Sequence, residues 1–211
     1  MIDAREALAR LREGNRRFAA DETSRERQGR SRREELRSVQ EPFATILGCS
    51  DSRVPAEIVF DQGLGDLFVI RVAGNIVAPS QVGSVEFAAA RFGTPLVVVL
   101  GHSGCGALKA ALEGMRRPGP KWKDLRSIVD RVRPAMHDVV EARPDASDED
   151  VIALAIRANI RASVNHLRHA SELLEQHIQE GRLAVVGAEY SLETGVVDFF
   201  EGAGDGDVPG R

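Results

Sequence analysis

The sequence predicts an α/β fold with a central, mostly parallel sheet flanked by helices. Three observations predict it. Short apolar, β-branched runs such as Phe43-Ala-Thr-Ile-Leu47 and Leu96-Val-Val-Val-Leu100 stop abruptly at Gly, Ser and charged residues, as strands buried on both faces of a parallel sheet do. Stretches with apolar residues at helical spacing separate these runs, and strand–helix–strand alternation argues a parallel sheet covered on both sides. Finally, a thiol, an imidazole and a carboxylate cluster just past the two strongest strand signals. Ligands of open parallel sheets sit beyond the carboxyl ends of the strands, where chain direction splits.

From Asp3 to Phe18, Ala4, Ala7, Leu8, Leu11 and Phe18 recur at helical spacing among charged residues, giving an amphipathic helix with a narrow apolar stripe. So sparse a stripe is expected to lie across a neighbouring surface, such as that of a second subunit. Residues 21–37 are dominated by Arg, Glu, Ser and Gln, and Glu34 and Glu35 offset the basic run Arg30-Ser-Arg-Arg33; this reads as a solvated helix or loop. Pro42 stops it, and the first strand follows over 43–47. Val54-Pro55-Ala-Glu57 suits a short helix start. Asp61-Gln-Gly63-Leu-Gly65 is a turn, and Leu67–Val72 is the next strand, ending at Ala73-Gly74-Asn75.

The spacing predicts a helix over 81–92, ended by Gly93, then the Leu96 strand. Another helix begins near Gly104-Cys105-Gly106, placing Cys105 at a first turn whose unpaired N–H groups favour a thiolate. Residues 114–121, with two Pro and two Gly, form a loop containing no readable role for the neighbouring Trp122. Helical patterns run over 123–141 and, after an acidic start capped by Ser147, over 147–180 up to Gly181. Leu183–Tyr190 is a last buried strand, with Gly195–Phe200 after it. Residues 1–200 are expected to form a single domain, and the Gly-rich residues 201–211 a disordered tail.

The chain of 211 residues is long enough for one substantial core. Its formal net charge of −4 lacks the basic excess of a nucleic-acid binder, and no apolar run is long enough to cross a membrane. The charged opening Met1-Ile-Asp-Ala-Arg-Glu6 lacks the apolar centre of an export signal. These features lead to the expectation of a cytoplasmic protein without nucleic-acid or membrane partners.

Only two cysteines occur, Cys49 and Cys105. With His102 they offer two sulfur donors and one imidazole at one sheet edge, a zinc set one ligand short of a tetrahedron, which is the catalytic pattern. A Cys49–Cys105 disulfide is the alternative; the lack of an export signal and His102 three positions from Cys105 favour metal. Asp51 and Arg53 follow Cys49 at two-residue intervals, so one turn can aim both at the same pocket. Arg53 would then keep Asp51 ionised through a charge-assisted fork, ready to accept a hydrogen bond from a zinc-bound hydroxide. An ordinary salt bridge shaping the turn is the other reading, and as a fourth zinc ligand Asp51 would close the site. Gly101-His-Ser-Gly-Cys105 has neither the P-loop lysine nor the three-glycine dinucleotide spacing, nor the second Gly of a serine-hydrolase elbow.

Cys49-Ser-Asp51-Ser-Arg53-Val-Pro-Ala-Glu57, Arg71-Val-Ala-Gly-Asn75 and Gly101-His102-Ser-Gly-Cys105-Gly-Ala107, in that order, resemble the signature of the beta-class carbonic anhydrases. The resemblance covers about residues 3–200. It implies that Cys49, His102 and Cys105 hold Zn2+ and that Asp51 and Arg53 are the catalytic dyad. The implied reaction is reversible hydration of carbon dioxide to bicarbonate and a proton by zinc hydroxide, the proton passing to buffer. It also implies a homodimer or dimer-based homotetramer, with the first helices gripping the neighbour and the pocket near the interface.

Gln40, nine residues before Cys49, matches a glutamine that binds substrate in plant-like members, and Phe68 matches an aromatic pocket lining. A helix cap and a core Phe are the alternatives. Some bacterial members hold an inhibitory bicarbonate with a Trp, an Arg and a Tyr. Arg71 and Tyr190 stand at matching places but Ile46 replaces the Trp, which implies the open, plant-like site. The rival reading is a non-catalytic zinc-binding or redox-sensing protein on the same fold, which the presence of both Asp51 and Arg53 disfavours. His137, His166, His169 and His177 fall on helices and are expected to be solvated or capping groups, not proton shuttles.

Overall fold

A computed structural model describes residues 2–24, 28–117, 125–204 and 208–210 of the chain. The β-branched runs become β1 (Ala44–Gly48), β2 (Leu67–Arg71), β3 (Leu96–His102) and β4 (Ala184–Tyr190), all parallel. A fifth strand, β5 (Val197–Glu201), pairs antiparallel with β4, and the sheet order is β2-β1-β3-β4-β5. Each residue of β1 and β3 is buried. Side chains alternate between faces along a strand, so Ile46, Val98 and Leu100 join one apolar core while Leu47, Val97 and Val99 join the other. That two-sided burial is why these strands carry no polar alternation.

One face is covered by α1 (Ala4–Ala19) and the short α3 (Ala56–Val59), the latter entered through Pro55. The other is covered by α4 (Pro79–Phe92), α5 (Gly106–Arg116), α6 (Arg126–Ala142), α7 (Asp148–Arg168) and α8 (Glu172–Gln179). The predicted solvated segment contains α2 (Arg30–Glu35), which buries no residue. Part of the predicted Pro/Gly loop, with Trp122, lies outside the described residues.

The apolar stripe of α1 lies on the chain's own sheet: Ala4, Ala7, Leu8 and Leu11 are at most 3% exposed and share a core with Ile46, Val98 and Val186. Two alanines let the helix close on the sheet, so a sparse stripe suffices. The single helix expected over 147–180 is two, because Ser171 stops the run and its hydroxyl accepts the Leu174 N–H at 3.3 Å, an N-cap set inside unbroken apolar periodicity. Two described residues of the expected disordered tail are packed. Ala203 and Val208 are buried, and their carbonyls accept hydrogen bonds from Arg12 and Arg5 of α1. Two apolar side chains and satisfied carbonyls outweigh the Gly-rich composition.

Helix α7 approaches β3 and β4 closely enough that a Cβ at Gly101 or Gly187 would lie 2.5 or 2.7 Å from the Ile160 side chain. A Cβ at Gly187 would also meet Glu201 at 2.9 Å and Val164 at 3.2 Å. Overpacking of this kind costs about 1–3 kcal/mol. Gly187→Ala should therefore lower the urea midpoint by that equivalent while leaving the dependence on denaturant unchanged, read by equilibrium unfolding.

Candidate metal centre

The chain runs from β1 outward to β2 and then back across β1 to β3, so the direction of winding splits between β1 and β3. That crevice is where an open parallel sheet places its ligands. Gly48, the last residue of β1, is level with Leu100 in the register, and β3 runs two residues farther, to His102. Cys49 follows β1, and His102 is the last residue of β3, one place earlier than the sequence suggests. Cys105 is the N-cap of α5. The Sγ atoms of Cys49 and Cys105 and a ring nitrogen of His102 all lie within 4.8 Å of one another, in residues 4%, 1% and 0% exposed. A tetrahedral ion with two sulfur ligands and one nitrogen ligand, as zinc accepts, holds its donors about 3.5–3.8 Å apart. Small side-chain adjustments thus suffice. Both cysteines are free thiols.

The local chemistry prepares each donor. Cys49 Sγ accepts the backbone N–H of Asp51 at 3.4 Å and of Gly74 at 3.3 Å. Its thiol is drawn down to about 4, first by the hydrogen bond from Cys105 and, against burial, by those two N–H groups. Cys105 is pushed up by its bond to Cys49 and by burial. His102 Nδ1 lies 3.0 Å from the Ser103 carbonyl. A carbonyl only accepts, so Nδ1 carries the proton and Nε2 presents a lone pair. Nε2 is buried and has no hydrogen-bond partner among the described residues. An orphaned buried acceptor beside two thiols fits a metal ion well.

Asp51 stands over the same point. Its carboxylate accepts Arg53 Nε at 2.9 Å, Arg53 Nη2 at 2.7 Å and the Arg53 backbone N–H at 3.0 Å. That fork, chiefly through the guanidinium, holds the carboxyl well below the usual carboxylate range. Oδ2 of Asp51 is 3.9 Å from His102 Nε2.

Some groups at the site were not legible in advance. Arg71 donates to the carbonyls of Cys49 at 3.1 Å and Asp51 at 2.6 Å, clamping the turn that carries a sulfur ligand and the carboxylate. The Ser103 carbonyl sets the His102 tautomer, and Ser103 is itself held by the carbonyl of Tyr190 and the N–H of Leu192. The signal for the Gly74 N–H was present in Ala73-Gly74-Asn75, a turn tripeptide directly after a strand.

Other predicted positions lie elsewhere in the chain. Gln40 is exposed, before the amino end of β1, beside a cavity of about 450 Å³ lined also by Phe43 and Phe92. Phe68, level with Thr45 in the register, stacks on Phe87 and Phe92 at 6.1 and 6.0 Å. Within one chain the length of β1 separates Gln40 from the triad. Ile46 is in the core, and Tyr190 packs against Phe18 of α1. His137 and His169 face carboxylates on the exposed surfaces of the helices, and His177 faces Arg182.

A family model described as carbonic anhydrase matches residues 44–197. A carbonic anhydrase of Mycolicibacterium smegmatis is 38% identical over 195 residues, covering 92% of each chain. Carbonic anhydrase 2 of Mycobacterium tuberculosis is 39% identical over 185 residues, covering 88% of this chain and 87% of that one. The chain belongs to the beta-class carbonic anhydrases. The solved beta-carbonic anhydrase of Coccomyxa, in complex with acetazolamide, superposes with a TM-score of 0.72 at 26% identity, over 92% of this chain and 86% of that one. The chain is accordingly a carbonic anhydrase enzyme, a carbon–oxygen lyase, and its Cys-His-Cys cluster is suited to a metal.

Cys49→Ser and His102→Ala should each purify with much less bound metal than the native protein, by elemental analysis, while far-ultraviolet dichroism stays native. Retention of a full metal complement by either would remove that side chain from the ligand set.

Proposed function

We propose that this chain reversibly hydrates carbon dioxide to bicarbonate and a proton at a zinc ion held by Cys49, His102 and Cys105. The single observation that carries the reading is the convergence of these three buried donors at one point that the Asp51 carboxylate also faces. Zinc in such a site supplies Lewis-acid activation of water near neutral pH and leaves a fourth position free. The chain's own residues do the rest. Asp51, held ionised, accepts a hydrogen bond from the attacking water and turns an oxygen lone pair toward the carbon. Arg53 fixes that carboxylate from two directions. Because the fork engages both oxygens, it favours Asp51 as an orienting group over Asp51 as a fourth ligand. The proton released passes to buffer. The intact fork also favours catalysis over a sensing role.

We assign Gln40 and Phe68 to the substrate pocket of a second copy in a homodimer or dimer-based tetramer, since β1 keeps Gln40 from the triad of its own chain. Ile58 and Leu64 in the β1–β2 crossover and Phe87 against Phe68 are 56%, 42% and 53% exposed. Exposed apolar groups of this kind mark association surfaces. Two reduced thiols in the site suit the cytoplasm, and no described helix is long and apolar enough to cross a membrane.

Stopped-flow hydration with a pH indicator should show activity in the zinc-loaded protein and its loss on zinc removal by a chelator. Arg53→Ala should keep its zinc and lose about 10²-fold or more in kcat. Zinc-replete protein without hydration would reject the reading.

In a separate test of the shared site, Gln40→Ala chains refolded together with Cys49→Ser chains should exceed the activity of either parent. The hybrid combines one intact triad with one intact Gln40. Activity no higher than that of the parents would return Gln40 to a purely local role.

A further inference from the structure

Helix α7 reaches the metal centre through a relay of buried polar groups. Asn159, 3% exposed, donates from Nδ2 to the Gly74 carbonyl at 2.9 Å. One turn later on the same helix, Ser163, 5% exposed, donates from Oγ to the Asn75 carbonyl at 3.2 Å. Both carbonyls belong to the tight turn Ala73–Asn75, where Gly74 and Asn75 adopt φ of +69° and +43°. Two successive left-handed residues, one of them not glycine, are costly and persist only where the surroundings over-determine them. A side chain at Gly74 would also crowd the Ala107 Cβ at 3.1 Å, so the turn is wedged beneath the first turn of α5. The product of this conformation is one N–H, that of Gly74, aimed at Cys49 Sγ from 3.3 Å.

An N–H donor on a thiolate withdraws charge from sulfur, so the thiolate gives less of it to a bound cation; hydrogen bonds to ligating sulfur tune metal sites in this way. Asn159 lies 85 positions along the chain from the carbonyl it holds, and that bond is to backbone. We propose that Asn159, assisted by Ser163, is a positioning residue of the metal centre: by pinning the 73–75 turn in its left-handed form it aims the Gly74 N–H at Cys49 and so sets the electron donation of that sulfur to the ion. The inference rests on the metal reading above, and it adds that part of the metal's character is set from the far helix layer.

The test uses the full chain loaded with cobalt(II), which reports thiolate ligation through a sulfur-to-metal charge-transfer band, together with zinc competition against a chromogenic chelator. Losing the N–H···S bond raises the energy of the sulfur lone pair. Asn159→Ala should therefore move the band to lower energy and change zinc affinity by about tenfold. Asn159→Asp should do likewise, because a carboxylate cannot donate to the Gly74 carbonyl. Ser163→Ala, the milder change, should shift the band the same way by less, and it carries the test alone if Asn159 variants do not fold. Ser171→Ala, which loosens the cap of α8 away from the turn, should lower the unfolding midpoint and leave band and affinity in place. A wild-type band that stays unmoved in the folded Asn159 and Ser163 variants, or moves no more than in Ser171→Ala, overturns the inference. A wild-type protein with no sulfur-to-cobalt band at all overturns the metal reading instead.

Discussion

The whole site depends on the register between β1 and β3. Because Gly48 stands beside Leu100, the residue after β1 comes level with Gly101, which brings Cys49 beside the end of β3, where His102 stands. A slip of one residue in either strand would send its side chains to the opposite face, turning Cys49 away from His102. What fixes the register is the burial of both faces: Ile46 and Val98 fit one core, Leu47 and Val99 the other. Core packing and metal geometry are therefore one constraint. The glycines at 101 and 187, which let Ile160 seat against the backbone of β3 and β4, belong to it as well.

This coupling explains which parts of the molecule could be read from the residue pattern. The strands were legible because two-sided burial leaves uninterrupted Val, Ile and Leu. The triad was legible because Cys and His at strand ends have few structural uses, and Asp51 with Arg53 because two-residue spacing on a turn brings both to one side. Three features escaped. The seat of α1 depends on how closely Ala4 and Ala7 let it approach, which periodicity does not register. Ser171 interrupts a helix whose apolar pattern continues across it. The packing of Ala203 and Val208 depends on arginines about 190–200 residues earlier, and no local rule sees so far. The backbone donors and acceptors of the site, Gly74 N–H and Ser103 carbonyl, are invisible for a simpler reason: every residue has them, and only the fold selects which ones point inward.

Arg71 illustrates how one residue type at one place takes different work in different surroundings. The family resemblance links this position to an inhibitory anion, but here the guanidinium is engaged by the carbonyls of Cys49 and Asp51. Tyr190, the other half of that arrangement, lies against Phe18, and Ile46 fills core space. Each of the three positions is engaged locally: Arg71 by the turn after β1, Tyr190 by α1 and Ile46 by the core.

The remaining physical problem is charge. Two thiolates neutralise a divalent cation, so such a centre polarises its water less than one built from neutral imidazoles, and the deficit has to be offset by the protein. Three devices act in one direction. The N–H groups of Asp51 and Gly74 drain charge from Cys49. The first turn of α5 places positive helix-end potential at Cys105. Arg53 cancels the charge of Asp51 without removing its lone pairs. The two backbone devices act at buried sulfurs, where screening by salt is weak, whereas the Arg53 guanidinium is exposed and its effect is screened more. Removing the thiolates' surplus charge by backbone dipoles has a further advantage over adding another cationic side chain. Backbone N–H groups bring no mobile charge that would compete with a cation for the sulfurs, and their position is fixed by the same sheet that brings the three donors together.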